Sequence, residues 1–515
     1  MTVNALASAE SAPGPLFPRP RLPNQSSSSP RLCHVTLWLL VPMFLLAATR
    51  YFFAPTDLDY WWHLKTGQLM LETSSLPRAD VFSYTSLGQP WVPHEWLTQL
   101  IYALTVRHFG FAGLAALWAM LGAGLWCTVY CTARARGLGE PAAIILVMWA
   151  AAMAFSVTSV RPQVLTALLL AATALLITRY KAGHARALWP LPVIFMFWVN
   201  LHGGYVIGLV LLGLTVVGET CALVLGQKAA PLKSLLLVSV LSGLATLISP
   251  NGLDALWYPF TYAGTGNGSM RHIAEWQSPN FHDPSFLIFG ASVLLALALG
   301  LARKPLGPTE VLWSLLFSLM ALTSLRHIPL YAIVVTPLIA GRIAAELPWL
   351  AMPLSAWRRP ALMAVAWPML LAGIVVQVHQ SQPTGGPQLH AMALDPQYPR
   401  GAVEFLQGAG PETRIFNEYH WGGYLIDRLP QVPVFIDGRA DVHGDRLIDQ
   451  YVRVTRLLPG WREVLEDFGV NLILTEKGNP LDTTLAVDAR WDAVFTGTVE
   501  RVYARRSGAL PGTLE

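Results

Sequence analysis

The chain has 515 residues, of which 53% are hydrophobic and 13% charged, with a mean hydropathy of +0.44. That is about half the charge of an ordinary soluble domain. The net charge of +4 and pI near 8.8 do not denote a nucleic-acid surface, because Lys and Arg fall in short clusters between apolar runs, the pattern that orients a polytopic membrane protein.

Residues 1–32 are rich in Ser and Pro, have no apolar face to bury and read as a disordered cytoplasmic tail. The apolar stretch from Val35 to Ala48 lacks a small-residue cleavage site and reads as a retained helix rather than a signal peptide. Windows long enough to cross a hydrocarbon layer of roughly 30 Å then recur at 35–53, 112–131, 141–158, 163–178, 187–200, 205–226, 233–249, 285–302, 309–325, 328–346 and 361–378. About eleven helices are therefore expected within a transmembrane domain, 33–378, that carries a long first outer loop, 54–111.

The fifth window contains Pro190 and Pro192, which interrupt a helix, and charge decides whether it crosses. With the amino terminus inside, the inner ends collect Arg19, Arg21, Arg31, Arg134, Arg136, Arg179, Lys181, Arg186, Lys228, Lys233, Arg303, Lys304, Arg342, Arg358 and Arg359. The outer face holds Arg50, Lys65, Arg78, Arg107, Arg161, Arg271 and Arg326. The inner excess supports the fifth crossing and leaves residues 379–515 outside.

Unusual polar residues collect in the outer loops. The first contains Asp57, Asp59, His63 and Lys65, then His94 and Glu95. Later loops supply Arg161, then Asn200 and His202, then Arg271, His272 and Glu275, and finally Arg326 and His327. Ionisable groups at a membrane boundary are costly to keep without a use, so this face is the candidate site for a charged substrate. Each residue also has a plainer role. Asp57 and Asp59 fit caps of a helix starting near Tyr60. Trp61 and Trp62 fit an interfacial aromatic belt, and Arg161 and Arg326 fit snorkelling side chains. His202 fits an ordinary loop histidine, and Glu275 a partner for Arg271.

In the tail, Arg414 to Asn417, Val434 to Asp437, Asn471 to Thr475 and Val499 to Arg505 read as strands and Gln450 to Phe468 as a helix, giving an α/β domain. Asp437, Arg439, Asp441 and His443 fit contact with a carbohydrate acceptor, closure over the membrane site, or an Asp-Arg pair fixing a turn. Cys33, Cys127, Cys131 and Cys221 all lie in or beside apolar helices, which argues against a disulfide framework.

The run Asp57-Leu58-Asp59-Tyr60-Trp61-Trp62-His63-Leu64-Lys65-Thr66-Gly67, followed by Leu76-Pro77-Arg78-Ala79-Asp80-Val81-Phe82-Ser83-Tyr84-Thr85 and Trp91-Val92-Pro93-His94-Glu95-Trp96-Leu97, resembles a family of bacterial polytopic proteins. The resemblance continues through Asn200-Leu201-His202-Gly203, Glu275-Trp276-Gln277-Ser278-Pro279, Arg326-His327-Ile328-Pro329 and Phe435-Ile436-Asp437-Gly438-Arg439-Ala440-Asp441. That family is similar to the GT-C glycosyltransferases, the superfamily of oligosaccharyltransferases, protein mannosyltransferases and the aminoarabinose transferase of lipid A.

The resemblance implies an α-helical polytopic GT-C-like domain with an extracytoplasmic α/β domain, in the bacterial inner membrane. It implies inverting sugar transfer at the outer face, from a polyprenyl-phosphate-linked donor to an envelope glycan, lipid or protein acceptor. An attacking hydroxyl or amide must lose a proton, which Asp57 or Asp59 would take. A phosphate leaving group needs cations, for which Arg161, Arg326, Lys65 and the histidines His63, His94, His202 and His327 are candidates, with Glu95, Asn200 and Glu275 as further substrate contacts. A divalent cation, Mg²⁺ or Mn²⁺, held by Asp57, Asp59 and a Glu such as Glu275 or Glu95 is the use one branch of the superfamily implies; other branches work without one.

Two other classes stay open. A transporter of lipid-linked sugars would carry its polar groups near the midplane and show matching broken helices. A non-catalytic assembly protein would tolerate loss of Asp57 and Asp59.

Overall fold

The computed structural model describes residues 59–154, 161–264, 273–302, 306–352 and 397–506, with Pro368 and Leu371 besides. The tail 1–32, the window 35–53, Asp57, Arg271, His272 and nearly all of the window 361–378 lie outside the described residues.

The membrane part is helical. Its elements are α1 (Tyr60–Thr73), α2 (Trp96–Ala135), α3 (Glu140–Met153), α4 (Gln163–Lys181), α5 (Leu191–Leu201), α6 (Tyr205–Val224), α7 (Leu232–Ala245), α8 (Leu253–Gly264), α9 (Leu287–Gly300), α10 (Pro308–Thr323) and α11 (Ile328–Glu346). Among the described residues, four stretches are long and apolar enough to cross a membrane, Trp96–Ala135, Gln163–Lys181, Tyr205–Val224 and Leu325–Glu346, and shorter apolar helices accompany them. The chain is an integral membrane protein, and each expected window from 112–131 to 328–346 contains a helix.

α11 lies at the centre, buried at every residue from Ile328 to Ala340, as a helix apolar all round must be. It packs on α2, α3, α4 and α10. Within α2, Gly110 adopts φ 65°, a left-handed value open to glycine. The kink there separates a segment belonging to the first loop from the membrane-crossing part. The region after Pro250, expected to be a plain loop, forms α8, which at 12 residues with Pro259 inside is too short for a crossing pattern to betray it. Trp257 and Phe260 project from it, exposed.

The tail adds α12 (Arg400–Phe405), β1 (Ile415–Asn417), α13 (Gly422–Arg428), α14 (Ala440–Thr455), α15 (Trp461–Asp467), β2 (Leu472–Glu476), α16 (Pro480–Leu485), β3 (Trp491–Thr496) and β4 (Glu500–Arg505). The sheet runs β1-β2-β4-β3, with β1 parallel to β2 and the other pairs antiparallel. Three details differ from expectation. The span 450–468 is two helices, because Leu457 and Gly460 take positive φ and Pro459 between them cannot continue a helix. β3 is an edge strand whose Asp492 hid it among polar residues.

The third concerns Val434 to Asp437, which is buried but not in the sheet. Its backbone pairs with the first loop instead: Val434 N donates to Phe82 O at 3.1 Å, and Tyr84 N to Val434 O at 3.1 Å. The loop and the tail thus share one core. Trp61 is fully buried there, edge-on to Phe111, Tyr398 and Tyr424 and with Arg428 stacked 4.7 Å from its ring. Neither Trp61 nor Trp62 belongs to an interfacial belt, since both are buried in this shared core.

An ionic joint reinforces the contact. Arg439 Nη2 donates to Asp437 Oδ2 at 2.6 Å, and Arg439 Nη1 forms a close ion pair with Asp80 Oδ1 of the loop, also at 2.6 Å. Phe82 and Trp91 flank the guanidinium, and Ser86 Oγ contacts His443 Nδ1 at 3.1 Å.

Candidate active site

A cavity of about 600 Å³ lies where α1, α4, α8, α10 and α11 meet the tail domain. Its wall combines apolar residues of the bundle, among them Leu125, Val164, Ala167, Ile207, Leu330 and Ile333, with many of the ionisable side chains singled out above.

One polar group centres on Arg161. Asp59 occupies the N-cap position of α1, but its side chain makes no cap hydrogen bond. It turns to Arg161, whose Nη2 lies 3.2 Å from Asp59 Oδ2. Arg161 Nη1 holds Glu275 Oε1, and Arg326 Nη1 stands 3.9 Å from Glu275 Oε2 and 5.1 Å from the Trp276 ring centre. Both arginines are therefore paired inside the cavity rather than snorkelling. Gly438 of the tail comes so close to Asp59 that a Cβ there would overlap Asp59 Oδ1. At the base of α1, Gly67 meets Gln99 with the same tightness and stands where a Cβ would lie 2.9 Å from Ala103 Cβ. The close approach of Gly438 sets how Asp59 is presented.

A second group centres on Glu95, buried at the start of α2. His202 Nε2 is 3.2 Å from Glu95 Oε1, His94 Nε2 3.6 Å from the same oxygen, and His63 Nδ1 3.4 Å from Oε2. Burial alone would raise the Glu95 carboxyl, but His63, His94 and His202 hold it well below the usual carboxylate range. Burial pushes His202 down to about 3, against the opposing pull of Glu95. Gly204 N donates to its Nδ1 at 2.9 Å and Thr166 Oγ1 lies 2.8 Å away, so the ring proton sits on Nε2 and points at Glu95. For His94, burial works downward but Glu95 outweighs it and the net direction is up; its ring stacks on Tyr258 at 4.0 Å. Asp441, on the tail side of the cavity, has its carboxyl raised by burial.

The chain matches no protein-family profile and no curated protein sequence. Solved structures do match. The archaeal oligosaccharyltransferase AglB from Archaeoglobus fulgidus, in complex with an inhibitory peptide and a dolichol-phosphate, aligns with a TM-score of 0.56 at 14% identity, over 86% of this chain and 70% of that one. ArnT from Cupriavidus metallidurans, bound to undecaprenyl phosphate, aligns with a TM-score of 0.51 at 14% identity, over 93% of this chain and 100% of that one. The fold is of the GT-C type. The fold and the helical, polytopic architecture expected from the sequence are those of the structure.

Within this GT-C fold, the cavity brings together Asp59, His63, His94, Glu95, Arg161, His202, Glu275, Arg326, His327 and Asp441. Four other candidates lie elsewhere. Lys65 faces Asp427 of α13. Asn200 accepts from Trp96 Nε1 at 2.9 Å and donates to the Ile248 carbonyl at 2.9 Å, bracing the wall from behind. Asp437 and Arg439 are 0% and 1% exposed and form the joint already described, while Gly438, Ala440 and Asp441 around them reach the cavity.

A divalent ion does not fit the described residues as they are arranged. Asp59 and Glu275 are both turned to the Arg161 guanidinium, and among the described residues no group of three or more His, Cys, Asp or Glu side chains could hold a metal. Tyr258, Tyr419 and His420 also line the cavity and were not singled out from the sequence. Tyr258 sits in the unanticipated helix α8; the aromatic run Tyr419-His420-Trp421 before Gly422 was the available signal for the other two.

Proposed function

We propose that this protein is a glycosyltransferase that moves a sugar from a polyprenyl-phosphate-linked donor to an envelope glycan, lipid or protein at the outer face of the bacterial inner membrane. The observation that carries this reading is the line Asp59, Arg161, Glu275, Arg326, drawn from separate segments into a cavity that also has an apolar wall of bundle residues such as Leu125, Val164, Leu330 and Ile333. An isoprenoid tail suits the apolar wall, and a phosphate suits the guanidinium groups. The GT-C fold and the phosphorylated polyprenols bound by two structural relatives support the same reading.

In this mechanism the acceptor hydroxyl or amide passes its proton to Asp59 as it attacks the anomeric carbon. A bond forms from acceptor to that carbon and the bond from carbon to phosphate oxygen breaks on the opposite side, so the configuration inverts. The leaving polyprenyl phosphate keeps the bonding electrons, and Arg161 and Arg326 stabilise its charge. Arg161 also keeps Asp59 oriented. Asp59 and Glu275 are both engaged by Arg161, so no step is assigned to Mg²⁺ or Mn²⁺. Asp57, two residues before Asp59 in the sequence, is the alternative base. A cytoplasmic tail 1–32, a membrane domain 33–378 and an external domain 379–515 complete the proposal.

Asp59→Asn and Asp57→Asn, each expressed in a deletion strain, test it by mass spectrometry of envelope glycans and glycoproteins. Loss of one glycan feature in the deletion strain and in either variant is the expected result. Full restoration by both variants at wild-type expression would sink the catalytic assignment and leave an assembly role.

A further inference from the structure

A second cavity, of about 400 Å³, lies at the other end of the bundle. Gln163 opens α4 at the first cavity and Lys181 closes it at the second, so at the rise of an α-helix about 27 Å separates them. That is close to the thickness of a bilayer's hydrocarbon layer, roughly 30 Å. If the first cavity opens at one headgroup level, the second lies at the level of the opposite leaflet.

Three cations, Arg136, Lys181 and Arg342, face the second cavity against one carboxylate, Glu310. Part of this cluster is satisfied internally. Lys181 Nζ is 2.7 Å from Glu219 Oε1 and 2.9 Å from Glu310 Oε1, and Arg342 pairs with Glu346 at 3.3 Å. A purely structural network would end there. Arg136, however, lies 3.7 Å from Glu310 Oε1 through Nη1, and its buried Nε has no hydrogen-bond partner among the described residues. Thr178 Oγ1, on the same cavity wall and 6% exposed as a residue, likewise has none. Buried donors are normally paired, and these two are a guanidinium N–H and a hydroxyl beside an ammonium. The space could hold several water molecules of about 30 Å³ each, which is ample for a tetrahedral anion.

We infer that this second cavity is a phosphate-binding site, taking the phosphate of an anionic lipid headgroup or inorganic phosphate through Arg136, Lys181 and Thr178. The inference does not depend on the transfer reaction, since none of these residues lines the first cavity.

The whole protein in detergent, examined by native mass spectrometry with phosphatidylglycerol and phosphatidylcholine, separates the two sources. A preference for phosphatidylglycerol that falls about tenfold in Arg136→Gln and in Thr178→Val supports a lipid headgroup. No lipid preference, but binding of inorganic phosphate by calorimetry that both variants weaken, supports free phosphate. Thr178→Val removes only a hydroxyl, so it decides the matter should Arg136→Gln fail to fold. Equal binding of both probes by wild type and Thr178→Val overturns the proposal. So does a phosphatidylglycerol preference lost in Arg161→Gln and kept in the other two, which assigns the lipid to the first cavity.

Discussion

Arg161 Nη2 stands 3.2 Å from Asp59 Oδ2, while the other terminal nitrogen of the same guanidinium holds Glu275. A single planar fork thus links the first loop to a segment far along the chain, a geometry that a lysine ammonium cannot reproduce.

Arg161→Lys should therefore lower transfer by about two to three orders of magnitude, the usual cost of losing one positioned donor to a developing anion. Initial rates in membranes at matched expression measure it. A rate within a factor of two of wild type would remove Arg161 from the leaving-group role.

Gly438→Ala should impair transfer more than stability. The added Cβ overlaps the end of the Asp59 side chain and comes within 3.0 Å of Trp62 Nε1; the carboxylate can swing aside and leave its place by Arg161. About a tenfold loss of rate is expected with little change in melting temperature. A large fall in melting temperature with an unchanged rate per folded molecule would contradict the positioning argument.

Arg439→Met should be strongly destabilising. Asp80 and Asp437 would remain ionisable, fully buried and without their shared cation. Breaking such a pair typically costs about 3–5 kcal/mol. Limited proteolysis between the first loop and the tail, read beside a thermal melt, should show the junction opening first. A variant as resistant as wild type would mean that the aromatic core around Trp61 suffices.

The pH response follows from His202 and Asp437. The folded state holds His202 neutral, at about 3, whereas an unfolded histidine titrates near about 6.5. The unfolded chain therefore binds the extra proton between those values, and stability declines as pH falls through that window. Asp437, held below the usual carboxylate range by Arg439 and His443 in spite of burial, adds a further loss below about pH 4. His94, raised by Glu95 against burial, acts oppositely and loses its contribution as pH rises through its folded value. Melting temperatures from pH 7 to 4.5 should fall for wild type and fall less for His202→Gln. Parallel curves would exclude His202 as the source.

Much of the architecture was legible in the sequence because membrane crossing imposes a length and polarity that any window reveals. The apolar stretches from 112–131 to 328–346 all contain helices, and the tail's β1, β2 and β4 followed from short buried runs. The polar residues of the loops were legible as a set for a related reason, the cost of ionisable groups at such a boundary. Tertiary structure alone decided which of them meet. No spacing rule joins Asp59 to Arg161 and Glu275, or His63 and His202 to Glu95, because loop ends are brought together by packing of whole helices. Nor does a local pattern reveal that Val434 pairs with the first loop instead of the sheet, or that Arg439 spends its charge on Asp80. Those choices come from burial, which forces each backbone group and each charge to find a partner wherever the completed fold offers one.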